Sequence, residues 1–242
     1  MSAMRTLVVL AFVLALPSAA GAAFVDEGTR GRSAGEIAVD RLAQNGVTVY
    51  CGDRSSRLVA LTFDDGPSVY SRAVVATLRR ARARATFFLV GERLGYWPGA
   101  LRAEASVGAI GDHTWTHASL AVLDRRGLRD EIGRTRAAEI VHTGRRIGLF
   151  RPPYGVRTPE GDAYVRGLEM VQVLWDVVDS GSGIRGGSIV LLHETRAQTL
   201  PLLRSILRDL HRRGLRPVTV PELVANAPAP LERDARGVRT RC

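Results

Sequence analysis

Lysine is absent from this chain: all 34 basic side chains among its 242 residues are arginine, set against 24 acidic ones for a formal net charge of +10. That excess is not gathered into a patch. The arginines are scattered along helix-patterned stretches such as 79–84 and 204–216, which argues against the concentrated stripe of a nucleic-acid binder. They suit a solvated, codon-biased surface, or a general attraction to an anionic polymer such as a cell wall. Internal repeats and low-complexity blocks are also missing. With 45% hydrophobic residues the chain can fill one substantial core, and its length leaves little room for a second domain.

Long apolar runs are equally scarce. Leu7 to Leu16 form one, but it is shorter than the roughly 20 residues a bilayer span needs. Preceded by Arg5 and followed by the small-residue stretch Ala20-Gly21-Ala22, it reads as a secretory signal over residues 1–23. Export to the cell exterior or cell wall is therefore expected, with no stable membrane span after signal removal. An uncleaved anchor is the alternative reading. No cysteine follows the cleavage site, so a lipoprotein anchor lacks its attachment residue. The sequence has only two cysteines, Cys51 and Cys242. In an oxidising compartment they could pair and close nearly the whole domain into one loop; free thiols or an intermolecular bridge are the alternatives.

Residues 24–54 are mixed and glycine-containing, and read as a leader that packs only in part. From Leu58 onward short apolar runs alternate with longer helix-patterned stretches. The runs are 58–63, 86–90, 107–110, 147–150, 170–178, 189–192 and 217–220, and the helical spacing covers 72–82, 126–143 and 200–213. Such alternation predicts a parallel α/β sheet, and seven strands suggest a barrel with its catalytic domain over 55–225. Residues 226–242, polar and with Pro228 and Pro230, read as a weakly ordered tail.

The residues with chemistry follow the strand ends, the face on which α/β barrels assemble active sites. Asp64 and Asp65 adjoin after a buried run, and two such carboxylates repel unless a cation or proton shares their site. A solvated Asp- and Gly-rich turn is the plainer reading. His113 and His117, four apart, would share an ion if they lay on a helical turn, although this spacing also recurs by chance. Arg151, followed by Pro152, Pro153 and Tyr154, sits on a loop stiffened by two fixed φ angles, which can hold a guanidinium and a backbone N–H in place. His193 ends a buried run. Alone it would read as a core histidine, but it converges on the same face as the others.

Five stretches in one order carry a resemblance: Thr62-Phe63-Asp64-Asp65-Gly66-Pro67, His113-Thr114-Trp115-Thr116-His117, Arg151-Pro152-Pro153-Tyr154-Gly155, Trp175 to Asp179, and Leu191-Leu192-His193. Over about residues 55–225 the chain resembles the polysaccharide deacetylase family, carbohydrate esterase family 4, whose shared region is the NodB homology domain. The resemblance implies a distorted (β/α)7 barrel. It implies a divalent metal, most often Zn2+ with Co2+ as the substitute, bound by Asp65, His113 and His117. By the same resemblance Asp64 is the general base, oriented by Arg151, and His193 is the acid. The Pro153–Tyr154 loop supplies an amide to the oxyanion, and Trp175 and Leu191 bracket the acetyl methyl.

The fourth stretch departs from the family pattern. Val178 stands where an aspartate is expected, Asp179 follows one position later, and Ser180-Gly181-Ser182-Gly183 replaces a second Asp-Trp pair. Asp179, ahead of Asp176, is the candidate to tune His193. The link from 179 to 187 is too short for a helix-containing crossover, so one helix between the strands near 178 and 189 is expected to be missing. The function expected is removal of N-acetyl groups from an acetylated polysaccharide, peptidoglycan or chitin-like, by a monomer. Acetylxylan esterase and a degenerate, non-catalytic glycan binder are the alternatives.

Overall fold

The alternating apolar runs become parallel strands in the computed structural model, which describes residues 31–97, 99–226, 231–234 and 237–240. The secretory signal expected over 1–23 lies outside the described residues, and among these no helix is long and apolar enough to cross a membrane. The strands are β1 (Val47–Val49), β2 (Leu58–Gly66), β3 (Ala85–Leu89), β4 (Gly108–Asp112), β5 (Leu149–Phe150), β6 (Val171–Val173), β7 (Val177–Val178), β8 (Ile189–His193) and β9 (Arg216–Val218). From β1 the order runs β6, β5, β4, β3, β2, β8, β7, every pair parallel, with β9 beside the start of β2. The sheet curls into a half-barrel of the (β/α)7 type.

Helices cover the sheet because parallel neighbours need crossovers. They are α1 (Ala34–Gln44), α2 (Ser71–Arg80), α3 (Ala100–Ala105), α4 (Arg125–Leu128), α5 (Arg134–Thr143), α6 (Pro159–Gly167), α7 (Thr199–Arg212) and α8 (Val220–Asn226). Strand alternation divides the core. Val59, Leu61 and Phe63 of β2 face the outer helices, where Leu203, Ile206 and Leu210 of α7 meet them. Leu58 and Ala60 face inward with Phe88, Leu149 and Ile189, over a base formed by α1 and α8. Thr62 and Asp64 continue that inner row, so the barrel interior turns from apolar to polar toward the strands' C-terminal ends.

Three expectations change. The region read as a partly packed leader contains α1 and β1: Ser33 and Glu36 form a reciprocal capping box, Val39 and Ala43 are buried, and β1 pairs with β6. The reason is that one turn of apolar spacing and a Val-x-Val run suffice to bury a face once neighbours exist. The stretch read as a tail holds a hairpin of β10 (Leu231–Asp234) and β11 (Gly237–Thr240), whose backbone pairs β11 with β1. The single helix read over 126–143 is divided by a π-helical turn at Arg129–Gly133. The missing helix is as expected: β7 and β8 pair in parallel, with no helix in the described residues 179–188.

Behind β2 lies a buried acid pair. Glu104 of α3 and Glu194, the residue after β8, are both fully buried. A Cβ added to Gly66 would meet Glu194 Oε2 at 1.9 Å, so any larger residue there must displace the Glu194 carboxyl. Burial above all pushes Glu104 up to about 7, with Ser71 and the neighbouring carboxyl offsetting part of the shift. Burial and then the charge of Glu104 push Glu194 well above the ordinary carboxyl range.

Candidate metal centre and catalytic site

In a regular strand Asp64 and Asp65 would point to opposite faces. The β2–β3 pairing instead slips between Asp64 and Gly66, leaving Asp65 as a bulge with φ 68°. Both carboxylates therefore face His113: its Nε2 lies 3.7 Å from Asp64 Oδ2 and 3.6 Å from Asp65 Oδ1. His117 Nε2 is 3.3 Å from the same Asp65 oxygen. The two histidines do not lie on a helical turn, contrary to the sequence expectation. They sit on an irregular loop after β4, with Thr114 at φ 66° and His117 at φ 64°, and the rings meet edge to face at 4.9 Å. The left-handed residues, rather than helical periodicity, bring both rings to one side.

One atom each from Asp65, His113 and His117 falls within 4.8 Å of the other two. His113 Nδ1 lies 2.7 Å from the Arg151 carbonyl, which can only accept, so Nδ1 carries the proton and Nε2 presents its lone pair. Burial, opposed by the Asp64 charge, holds His113 below its ordinary value. His117 Nδ1 approaches the Tyr154 hydroxyl at 3.2 Å. Burial would raise the Asp65 carboxyl, but the His117 hydrogen bond and the charges of His113, His117 and His193 outweigh it and hold the group at about 2. Asp65 Oδ1 is buried and has no hydrogen-bond partner of ordinary geometry. A carboxylate oxygen facing the Nε2 atoms of two imidazoles suits a divalent cation with nitrogen and oxygen ligands and an open position.

Arg151 is fully buried and fixed on every side. Its Nη1 donates to Asp64 Oδ1 and Thr62 Oγ1, both at 2.7 Å, while Nε donates to the Val173 carbonyl and Nη2 to that of Leu174. Its guanidinium carbon stands 4.2 Å from the Phe88 ring centroid and 5.5 Å from that of Trp175. Pairing with β4 puts it there, through the Arg151 amide bonded to the Asp112 carbonyl.

His193 is the register partner of Asp64 across β2 and β8. Its Nδ1 lies 2.9 Å from Asp179 Oδ2, an oxygen that Arg196 Nη1 also binds. Asp176 is committed elsewhere, accepting from Arg54, Ser188 and the Ile189 amide. Leu191 lies buried two residues below His193, on the same strand face. Pro153 is buried, whereas Tyr154 is 69% exposed, at φ 61°, with its ring edge-to-face on His117. Five of the seven non-glycine residues at positive φ among the described residues belong to these loops: Asp65, Thr114, His117, Tyr154 and Asp179. Such concentration of costly backbone conformations marks a site held in place by its surroundings.

The structure thus gathers Asp64, Asp65, His113, His117, Arg151, Asp179 and His193 at the C-terminal ends of β2, β4, β5, β7 and β8. Cys51 is buried and disulfide-bonded, while Cys242, its expected partner, lies outside the described residues. Thr62 and Arg196 escaped the sequence reading. Thr62 could have been found as the inward residue two before Asp64; Arg196 has no spacing signal.

Comparison with known proteins agrees with this arrangement. The polysaccharide deacetylase family model matches residues 52–173. The chain is 32% identical over 184 residues to a peptidoglycan-N-acetylglucosamine deacetylase of Listeria monocytogenes, covering 70% of this chain and 39% of that longer protein. It is 31% identical over 192 residues to a chitin deacetylase of a Pestalotiopsis species, covering 70% of this chain and 64% of that one. A family 4 carbohydrate esterase from Bacillus anthracis superposes with a TM-score of 0.68 at 27% identity, covering 78% of this chain and 91% of that structure. The matched segment makes up half of the sequence and bears the bulged aspartate pair, both loop histidines and Arg151: the chain belongs to the polysaccharide deacetylase family.

Proposed function

We propose that this protein is an exported, metal-dependent hydrolase that removes N-acetyl groups from an N-acetylglucosamine polymer of the peptidoglycan or chitin type. The observation that carries the reading is the convergence of Asp65, His113 and His117 beside an Asp64 locked by Arg151 and a His193 paired with Asp179. Zn2+, held by Asp65, His113 and His117, would act as a Lewis acid and lower the pKa of a coordinated water. Asp64 takes the proton of the attacking water, while Arg151 fixes the carboxylate that receives it. The Tyr154 amide would donate to the oxygen that becomes negative. His193 Nε2 delivers a proton to the departing amine as the carbon–nitrogen bond breaks, giving acetate and a free amino sugar. Asp179 stabilises the protonated ring through Nδ1. Trp175 and Leu191 flank the acetyl methyl.

The relatives named as peptidoglycan and chitin deacetylases support this chemistry. The signal-like segment 1–23 supports export, and the positive charge supports retention near an anionic wall. The enzyme is expected to act as a monomer. The test is acetate release from chitin oligomers, peptidoglycan and acetylxylan with added Zn2+ or Co2+. Release from the N-acetylated glycans, abolished in Asp64→Asn, supports the proposal; no release from any of the three overturns it, and preference for acetylxylan makes the chain an esterase instead.

A further inference from the structure

His113 and His117 lie on a loop without regular structure, so something outside the loop must fix the distance between them. Glu131 meets that need. Its Oε2 accepts from the Trp115 amide at 2.9 Å and the Thr116 amide at 2.8 Å, and its Oε1 accepts from the Thr116 hydroxyl at 2.8 Å. One carboxylate thus gathers the two successive backbone N–H groups between the two imidazoles, an arrangement that suits an anion. Glu131 itself sits in the π-helical turn Arg129–Gly133, a distortion that is frequent in helices at functional sites. Its own carbonyl accepts from Thr135 Oγ1 at 2.8 Å. The rest of the loop is clamped around it. The Arg134 guanidinium covers the Trp115 ring at 3.6 Å, Gly91 and Glu92 donate their amides to the Thr114 and Trp115 carbonyls, and a Cβ on Gly91 would come within 2.4 Å of the Trp115 ring.

We propose that Glu131 is a positioning residue that sets the spacing of His113 and His117, and through it the affinity for the divalent metal. The inference rests on the metal reading of the proposed function and deepens it. Groups that orient metal ligands typically change metal affinity about 10–100-fold when removed. Glu131→Gln keeps the volume but puts an NH2 where an acceptor stood, so at least one loop donor loses its partner. Thr116→Val removes only the hydroxyl bond. Asp124→Ala removes the N-cap of α4, bonded to the Gly127 amide, and disturbs the same helix without touching the loop.

The experiment measures Zn2+ affinity of the full chain and each variant by competition with a chromogenic chelator. Thermal melts of the metal-free proteins and the visible spectrum with Co2+ accompany it. The expected result is wild-type binding at one Zn2+ per chain, affinity about 10–100-fold weaker in Glu131→Gln and several-fold weaker in Thr116→Val, with Asp124→Ala within twofold of wild type. The Co2+ spectrum changes in Glu131→Gln and not in Asp124→Ala. Should Glu131→Gln fail to fold, Thr116→Val decides. Both loop variants binding Zn2+ like the wild type would overturn the proposal while leaving the metal site standing. A wild-type chain that binds no Zn2+ overturns the metal reading first, and this one with it.

Discussion

The Glu104–Glu194 pair predicts that part of the pH dependence of stability can be removed by one atom exchange, Glu104→Gln. A carboxyl whose pKa rises on folding binds its proton more tightly in the native state, so stability falls as pH rises between the unfolded and folded values. For Glu104 that window runs from 4.5 to about 7. Its stabilising share is fully present below the lower bound and lost as pH passes the upper. The shift corresponds to about 3 kcal/mol at roughly 1.4 kcal/mol per unit, and the full burial of the side chain calls for no reduction by solvent screening. Glutamine has nearly the same volume, carries no charge at any of these values, and can donate to the Glu194 carboxylate. The variant should match the wild type near pH 4.5 and exceed it by about 3 kcal/mol near pH 8. Urea unfolding of both proteins at the two pH values measures this directly; the difference cancels Asp112, whose pKa burial also raises, and includes the relief of Glu139 and Glu194, which the Glu104 charge raises further. An equal stability difference at both pH values would refute the reasoning, because it would mean that Glu104 does not change its proton affinity on folding.

Three further outcomes follow from the site and its surroundings. Replacing Arg151 by methionine should lower stability by about 3–5 kcal/mol in chemical denaturation and stop turnover, since Asp64 is left buried without its counter-charge. Asp179→Asn should cut kcat roughly 100-fold while KM changes little, because in the proposed mechanism the ring it supports acts on the departing amine and not in binding; an equal rise in KM would argue against that role. Reduction of the intact protein should add the mass of two hydrogens if Cys51 is joined to Cys242, and Cys51→Ser should cost about 2–5 kcal/mol in thermal or denaturant unfolding.

The sequence displays the parallel sheet and the location of the chemistry because both depend on local pattern. Short apolar runs bounded by polar turns become buried strands, and Asp64, His113, Arg151 and His193 follow their ends. The missing helix between β7 and β8 was legible for the same reason, since the nine residues 179–187, with Ser180-Gly181-Ser182-Gly183 among them, fall below the roughly 10 to 12 of a helix-containing crossover. What stayed hidden depends on tertiary partners. The bulge at Asp65 arises from a slip in pairing with β3, and the histidine loop owes its form to left-handed residues that a periodicity argument replaces with a helix. Glu131 and Arg196 act between separate segments, where residue spacing carries no information. The α1 segment packs against α8 and β11 pairs with β1, partnerships between distant parts of the chain that no local pattern announces.

The direct link between β7 and β8 has a consequence for the catalytic cycle proposed above. The described link 179–188 contains no helix, and the His193 side chain keeps 19% of its surface in contact with solvent. A group that has surrendered its hydrogen ion in one turnover can take the next from bulk water, so the enzyme requires no internal relay to reset itself and the buffer can recharge it directly.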